Sequence, residues 1–269
     1  MSAADEDSTK HALKHWNPRA GLFQRGLCRA VVQTSRFIMQ TMNSVAFEGT
    51  ERWEAAFGHP GRGVLSFSNH VSLFDDPLLV SNLGRVRFND VRWIGADHIN
   101  FYGSALKGFI SAAGKCVPII RGGGLVQPGL AFLCERLQAG DWVHIFPEGG
   151  RTRDPDARMR LPFKAGIGHL IAEAKPIAMP FYHYGMHRIL PIGRTLPKAG
   201  HSVTVRFGEA AVIDDEWLAP HVEAASEGAG ALYRRLADWT QEVLLGLEAE
   251  THEMGARPTD AAGDSSPDT

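Results

Sequence analysis

The sequence predicts a single α/β domain. Two features carry the prediction: from about residue 60 short apolar runs alternate with longer helical stretches, and residues with chemical potential follow directly after those runs. With 269 residues, 44% of them hydrophobic, the chain can bury a substantial core and fits one large domain. The expected strands are Gly63–Phe67, Val91–Ile94, Cys116–Ile120, Trp142–Phe146, Ile177–Tyr182 and Val203–Phe207. The expected helices are Pro77–Leu83, Tyr102–Ala113, Gln127–Ala139, Gly166–Ala174 and a long one within Ala224–Glu250.

The two ends read differently. Residues 1–9 form a polar tail carrying Asp5, Glu6 and Asp7, which argues against an ordinary mitochondrial presequence. Residues 10–50 form a basic amphipathic helical segment. From Lys10 to Phe47 it holds no acidic residue, while Lys10, Lys14, Arg19, Arg25, Arg29 and Arg36 accumulate. At about 100° per residue, Phe23, Leu27, Val31, Thr34 and Ile38 share one helix face and Arg25, Arg29, Gln33 and Arg36 the other. Two placements fit this pattern: on an anionic bilayer surface, with the stripe in the headgroup boundary, or packed on the domain with a solvated basic face. Beyond Thr251 the composition turns to Gly, Pro, Ser and Asp, so residues 251–269 are expected to be a disordered tail.

Charge and cysteine usage narrow the function. A net charge of -2, from 28 basic and 30 acidic residues, gives no global reason to expect nucleic acid as partner. Cys28, Cys116 and Cys134 have neither disulfide-framework nor thiolate-zinc spacing, which suits a reducing compartment. No run reaches the roughly 18 to 20 apolar residues of a spanning helix, so action on lipid implies a peripheral position.

Three segments carry chemistry. The first, Ser68-Asn69-His70-Val71-Ser72-Leu73-Phe74-Asp75-Asp76-Pro77, follows a predicted buried strand. Pro77 suits a first helical position with Asp76 as N-cap, leaving His70 and Asp75 in a loop. A loop can bring them together, whereas five residues on a helix rotate by about 140°. An imidazole is a competent general base near neutral pH, and a carboxylate on its other nitrogen fixes the tautomer. The local alternative is a capping box between Ser72 and Asp75.

The second segment is Phe146-Pro147-Glu148-Gly149-Gly150-Arg151-Thr152-Arg153. Its glycines permit close backbone approach, Arg151 and Arg153 can grip a phosphate, and Glu148 can accept from a substrate hydroxyl; a solvated Pro-Gly loop is the plain alternative. In the third, Gly114–Gly124, a strand delivers Arg121, a further phosphate candidate, to a glycine-rich turn without nucleotide-loop spacing. Lys164 is either a substrate cation or a solvated charge at a helix entry.

A His-x4-Asp after one strand, an Arg after another and Phe-Pro-Glu-Gly after the next resemble the phospholipid/glycerol acyltransferase family in order and spacing. Asn69–Pro77, Gly114–Arg121, Gly140–Gly149 and Phe163–Glu173 resemble its tafazzin branch, and His183-Tyr184-Gly185-Met186 with Leu190-Pro191 extends the likeness over roughly residues 60 to 210. The resemblance implies a glycerolipid-acyltransferase-type domain over residues 51–250, with a central mixed sheet flanked by helices and a membrane-facing N-terminal helix. It implies His70 and Asp75 as the catalytic dyad and Phe146, Pro147, Glu148 and Gly149 around the acceptor. Asn69, Arg121, Arg151, Arg153 and Lys164 complete the expected substrate-binding set.

Its implied partners are membrane phospholipids and lysophospholipids on an anionic surface, with no bound cofactor or metal. Gly150-Arg151-Thr152-Arg153 departs from the tafazzin pattern and resembles acyl-CoA-dependent lysophosphatidate acyltransferases, so the acyl donor is a phospholipid or acyl-CoA. The N-terminus favours the cytoplasmic face of a bacterial membrane, whereas the tafazzin likeness favours a mitochondrial one. Two rivals from other classes are a metal-dependent hydrolase and a non-enzymatic membrane-binding module. The first draws on the 12 histidines, among them His70, His98, His144, His183 and His187, but lacks a His-Glu-x2-His spacing.

Overall fold

The computed structural model describes residues 13–19, 21–83, 90–194, 196–225 and 228–256. In chain order its first elements are α1 (Leu22–Phe37, prolonged by a π-helical turn Ile38–Met42), β1 (Ser44–Glu48), α2 (Thr50–Ala56), β2 (Val64–Phe67) and α3 (Asp75–Val80, π-helical, continued by Ser81–Leu83). Then follow β3 (Trp93–Asp97), α4 (His98–Tyr102), α5 (Ala105–Ala113), β4 (Cys116–Ile119), α6 (Pro128–Gln138), β5 (Trp142–Ile145) and α7 (Gly166–Ala174). The chain closes with β6 (Ile177–Tyr184), α8 (Met186–Ile189), β7 (Ser202–Phe207), β8 (Ala211–Val212), α9 (Asp215–Glu223) and α10 (Ala229–Ala256).

The strands make one eight-stranded mixed sheet in the order β1-β7-β6-β2-β5-β3-β4, with β8 also on β6. β6, β2, β5, β3 and β4 are mutually parallel, while β7 runs antiparallel to β6 and carries β1 parallel to itself. Parallel strands covered on both faces read as unbroken apolar runs, and β2 is buried at every position. Alternate side chains feed two cores. Leu65, Phe67, Val143, Ala178 and Tyr182 meet α6, α7 and α10 on one face. Val64, Trp142, Met179, Phe181 and Phe207 meet Met39, Ala56 and Leu79 on the other. α7 and α10 cross so closely that a Cβ at Gly168 would lie 1.9 Å from the Tyr233 carbonyl oxygen.

Several expected boundaries move. β1 lies inside the segment read as wholly helical: Val45 and Phe47 alternate in register with Val203 and Val205 of β7, a pairing invisible to local pattern. β3 starts at Trp93 and runs through Gly95-Ala96-Asp97, residues of poor strand propensity recruited by β4. The helix expected over Tyr102–Ala113 is split at Gly103, and Ser104 caps α5 by accepting from the Lys107 amide. α9 was not anticipated, and α10 begins at Ala229 and continues beyond Thr251 to Ala256, into the segment expected to be disordered. The polar tail 1–9 and residues 257–269 lie outside the described residues.

Asp76 is not the expected N-cap. Its carboxylate pairs with the buried Arg92, whose Nε donates to Asp76 Oδ1 at 2.6 Å and whose Nη2 contacts Oδ2. A guanidinium removed from water requires such a counter-charge.

α1 packs through Cys28, Val32 and Ser35; of the expected apolar stripe Phe23, Val31 and Thr34 are exposed, whereas Leu27 and Ile38 are half-buried and Ile38 packs against the second core. Leu22 is 87% and Phe23 75% exposed, with Val31 and Phe37 also exposed, and Phe23 meets the exposed Phe109 of α5. Among the described residues no helix is long and apolar enough to cross a membrane.

Candidate active site

The site forms where β2, β5, β6, β3 and β4 end, the side of a parallel sheet at which functional loops collect. His70 leaves β2 and turns back so that its Nδ1 lies 3.0 Å from Asp75 Oδ2. The same oxygen accepts from the amides of Val71 at 2.7 Å and Ser72 at 2.8 Å. The imidazole and the local turn therefore share one carboxylate oxygen.

Burial pushes the Asp75 carboxyl up, but His183, His70 and the Ser72 amide outweigh it and hold the group below its ordinary value. An ionised Asp75 accepts only, so His70 Nδ1 carries the proton and Nε2 is left as the acceptor. The imidazole is 18% exposed, and its ring stacks on Phe146 with centroids 4.1 Å apart and planes 12° apart.

His183, not among the expected site residues, lies on β6 next to β2, and its Nε2 is 3.8 Å from Asp75 Oδ2. That nitrogen donates to the Asn69 carbonyl at 3.0 Å. Burial keeps the ring below its ordinary pKa despite Asp75, so it stands neutral behind the dyad. Its sequence signal was the His183–Met186 match; only strand order brings it beside His70. Asn69 is fully buried, donating to the His183 carbonyl and accepting from the His183 amide, both at 2.9 Å. Its side chain thus joins β2 to β6, an arrangement that positions His70.

Glu148 is likewise committed to backbone. Its Oε1 accepts from the His70 amide and its Oε2 from the Arg160 amide, each at 2.6 Å. Burial pushes the carboxyl up to about 8 in spite of those amide bonds. The surrounding turn is closed by Gly149 N donating to the Phe146 carbonyl, Lys164 N to that of Pro147 and Thr152 N to that of His70. Gly149 has φ +69°, and a Cβ there would meet Lys164 Cγ at 2.9 Å.

The expected cations gather less tightly. Arg121 pairs through Nε with Asp97 Oδ2 at 2.9 Å and is 59% exposed. Arg151 is half-buried, while Arg153, Arg160 and Lys164 are exposed. Arg160 had no motif to mark it, yet its guanidinium reaches Gly150 together with that of Arg121.

Along α1 and α3 runs an apolar cavity of about 270 Å³ lined by Val31, Thr34, Ile38, Phe74, Pro77 and Leu78, beginning at the residue before Asp75. Among the described residues no group of three or more His, Cys, Asp or Glu side chains is arranged to hold a metal.

A family model described as Acyltransferase matches residues 44–184, a span that contains His70, Asp75, Asn69, Glu148, His183 and the basic residues Arg121 to Lys164 but not the α1 wall of the cavity. The chain belongs to the acyltransferase family. It is 32% identical over 206 residues to the taffazin of Dictyostelium discoideum, covering 71% of this chain and 70% of that one. It is 29% identical over 228 residues to the tafazzin of Drosophila melanogaster, covering 82% of this chain and 59% of the other, so the acyltransferase described here spans only part of that relative's length. Among solved structures, 1-acyl-sn-glycerophosphate acyltransferase PlsC from Thermotoga maritima shares the fold, with TM-score 0.56 at 20% identity over 87% of this chain and 82% of that one.

Proposed function

We propose that this acyltransferase moves a fatty acyl chain between glycerophospholipids at a membrane surface, from a donor phospholipid to the glycerol hydroxyl of a lysophospholipid. The observation that carries the reading is the His70 imidazole, held at Nδ1 by an ionised Asp75 with Nε2 left as acceptor. His70 Nε2 takes the proton from the acceptor hydroxyl as its oxygen bonds to the donor carbonyl carbon. Asp75 stabilises the imidazolium. Collapse of the tetrahedral species breaks the bond to the donor's glycerol oxygen, which takes the proton back from His70. No covalent enzyme intermediate is involved.

The remaining roles follow from placement. The cavity beside α3 suits an acyl chain, Phe146 to Gly149 floor the acceptor region, and Arg121, Arg151, Arg153 and Lys164 supply positive charge for the acceptor phosphate. The outward face of α1, with Leu22 and Phe23 exposed beside the arginines, supports a peripheral position on an anionic leaflet, and the cytoplasmic face of a bacterial membrane is the location we favour. The resemblance to the tafazzin branch favours a phospholipid donor. Arg151 and Arg153 favour the second reading, in which the donor is acyl-CoA and the acceptor 1-acylglycerol-3-phosphate.

The donor is tested by incubating CoA-free protein with a labelled donor phospholipid and a lysophospholipid in mixed vesicles, then with acyl-CoA, with His70→Ala alongside. His70-dependent transfer without CoA is the expected result. Transfer from acyl-CoA alone would move the protein to the second reading, and no His70-dependent transfer from either would defeat both.

A further inference from the structure

We propose that Arg160 and Arg121 together form the clamp for the acceptor phosphate, so that the anion site is centred over Gly150. This rests on the acyl-transfer reading for its biological ligand but on geometry for its existence. A Cβ placed at Gly150 would lie 3.5 Å from Arg160 Nη1 and 3.9 Å from Arg121 Nη2, so the two guanidiniums converge on one small volume that the missing side chain leaves open. Asp97 occupies Arg121 Nε and leaves the Nη edge available. Among the described residues no carboxylate pairs with Arg160. Two like charges brought together over a glycine repel each other until an anion with two or more oxygens sits between them, and paired guanidiniums match phosphate geometry.

The backbone around Arg160 is fixed although its side chain is exposed. Its own amide donates to Glu148 Oε2 at 2.6 Å, and the preceding Met159 amide donates to Glu248 Oε1 of α10 at 2.9 Å. Glu148 Oε1 holds the His70 amide. A single carboxylate therefore sets the base and the clamp relative to each other, as an acceptor requires when its hydroxyl and its phosphate belong to one glycerol.

Arg160→Gln, Arg160→Lys and Arg121→Gln are compared with the unchanged protein in vesicle transfer assays, using 1-oleoyl-lysophosphatidylcholine and the phosphate-free acceptor 1-monooleoylglycerol. Calorimetric binding of the soluble 1-hexanoyl-lysophosphatidate is measured in parallel. Loss of the charged contact in Arg160→Gln is expected to raise KM for the phosphate-bearing acceptor about ten-fold with kcat little changed, and to weaken hexanoyl-lysophosphatidate binding by a similar factor. Arg160→Lys recovers part of both, and monooleoylglycerol transfer is unaffected. Unchanged binding in Arg160→Gln, or an equal loss on monooleoylglycerol, overturns the clamp. If the unchanged protein transfers nothing yet binds hexanoyl-lysophosphatidate through Arg160, the acyl-transfer reading fails and the clamp stands; absence of that binding removes the clamp.

Discussion

Two loops leave neighbouring parallel strands and are built on opposite principles. In the loop after β2 the side chains of the proposed dyad are themselves immobilised: Asp75 is fully buried and one of its oxygens takes three donors, two of them backbone amides. In the loop after β5 the backbone is immobilised and the side chains are left in water. Glu148, Glu248 and Gln241 accept from the amides of Arg160, Met159 and Phe163, while Arg153, Arg160 and Lys164 are exposed. A proton acceptor must be oriented to within a hydrogen bond, whereas a phosphate can be met by flexible charges whose stems are fixed.

The largest effects belong to the first loop, where rate and stability can be separated. His70→Ala removes the proposed base but none of the amide bonds to Asp75, so transfer should fall by about 10² to 10⁴ with the melting temperature nearly unchanged. Asp75→Asn replaces an oxygen that accepts three bonds or confronts it with an amide donor, so a rate loss of similar size should come with a lower melting temperature. Thermal unfolding beside single-turnover rates checks the pair; two variants equal in both measurements would break the distinction between base and scaffold.

For the second loop the expected order is reversed. Glu248→Ala leaves the Met159 amide without its buried acceptor, while the Tyr182 hydroxyl keeps His252 Nε2 at 3.2 Å, at a cost of about 1 to 3 kcal/mol. Because it loosens the stem of the basic loop and leaves the dyad alone, the acceptor KM should rise several-fold while kcat stays within a few-fold. Denaturant titration and steady-state kinetics measure both, and a kcat loss comparable with that of His70→Ala would show that the two loops are one unit.

The first loop was also the more legible in the sequence. A His-x4-Asp after an apolar run fixes a short loop closure, and the bonds from His70, Val71 and Ser72 to Asp75 all fall within five residues. Glu148 was legible as a residue but not in its role: the sequence shows a carboxylate beside glycines, while only the pairing of β2 with β5 brings it to the His70 amide. His183, Asn69 and Arg160 acquire their partners 114 and 12 residues away in the chain, through strand order and a long loop that local pattern does not encode. The parallel strands were readable because burial on both faces makes them continuous apolar runs. β1 and the end of β3 were not, since the partner strand, more than their own composition, holds them.

Glu148 joins the two loops, and the pH dependence of stability tests which principle governs it. Its carboxyl is raised from 4.5 to about 8, so between those values the folded state holds a proton that the unfolded state releases. Stability from this group is then present at the acid end and declines as pH rises through that window, by on the order of 1 kcal/mol per pH unit. The buried histidines act in the opposite sense: His144 and His183 are lowered, so the unfolded chain binds more protons and their contribution grows as pH rises towards the ordinary histidine value. Comparison with Glu148→Gln cancels the histidines and isolates the carboxyl. Denaturant titrations from pH 5 to pH 8 should show the unchanged protein losing stability relative to Glu148→Gln as pH increases. A constant difference would mean that the amides of His70 and Arg160 keep Glu148 ionised throughout, placing it with Asp75 as a carboxylate held by backbone donors and extending the principle of the first loop into the second.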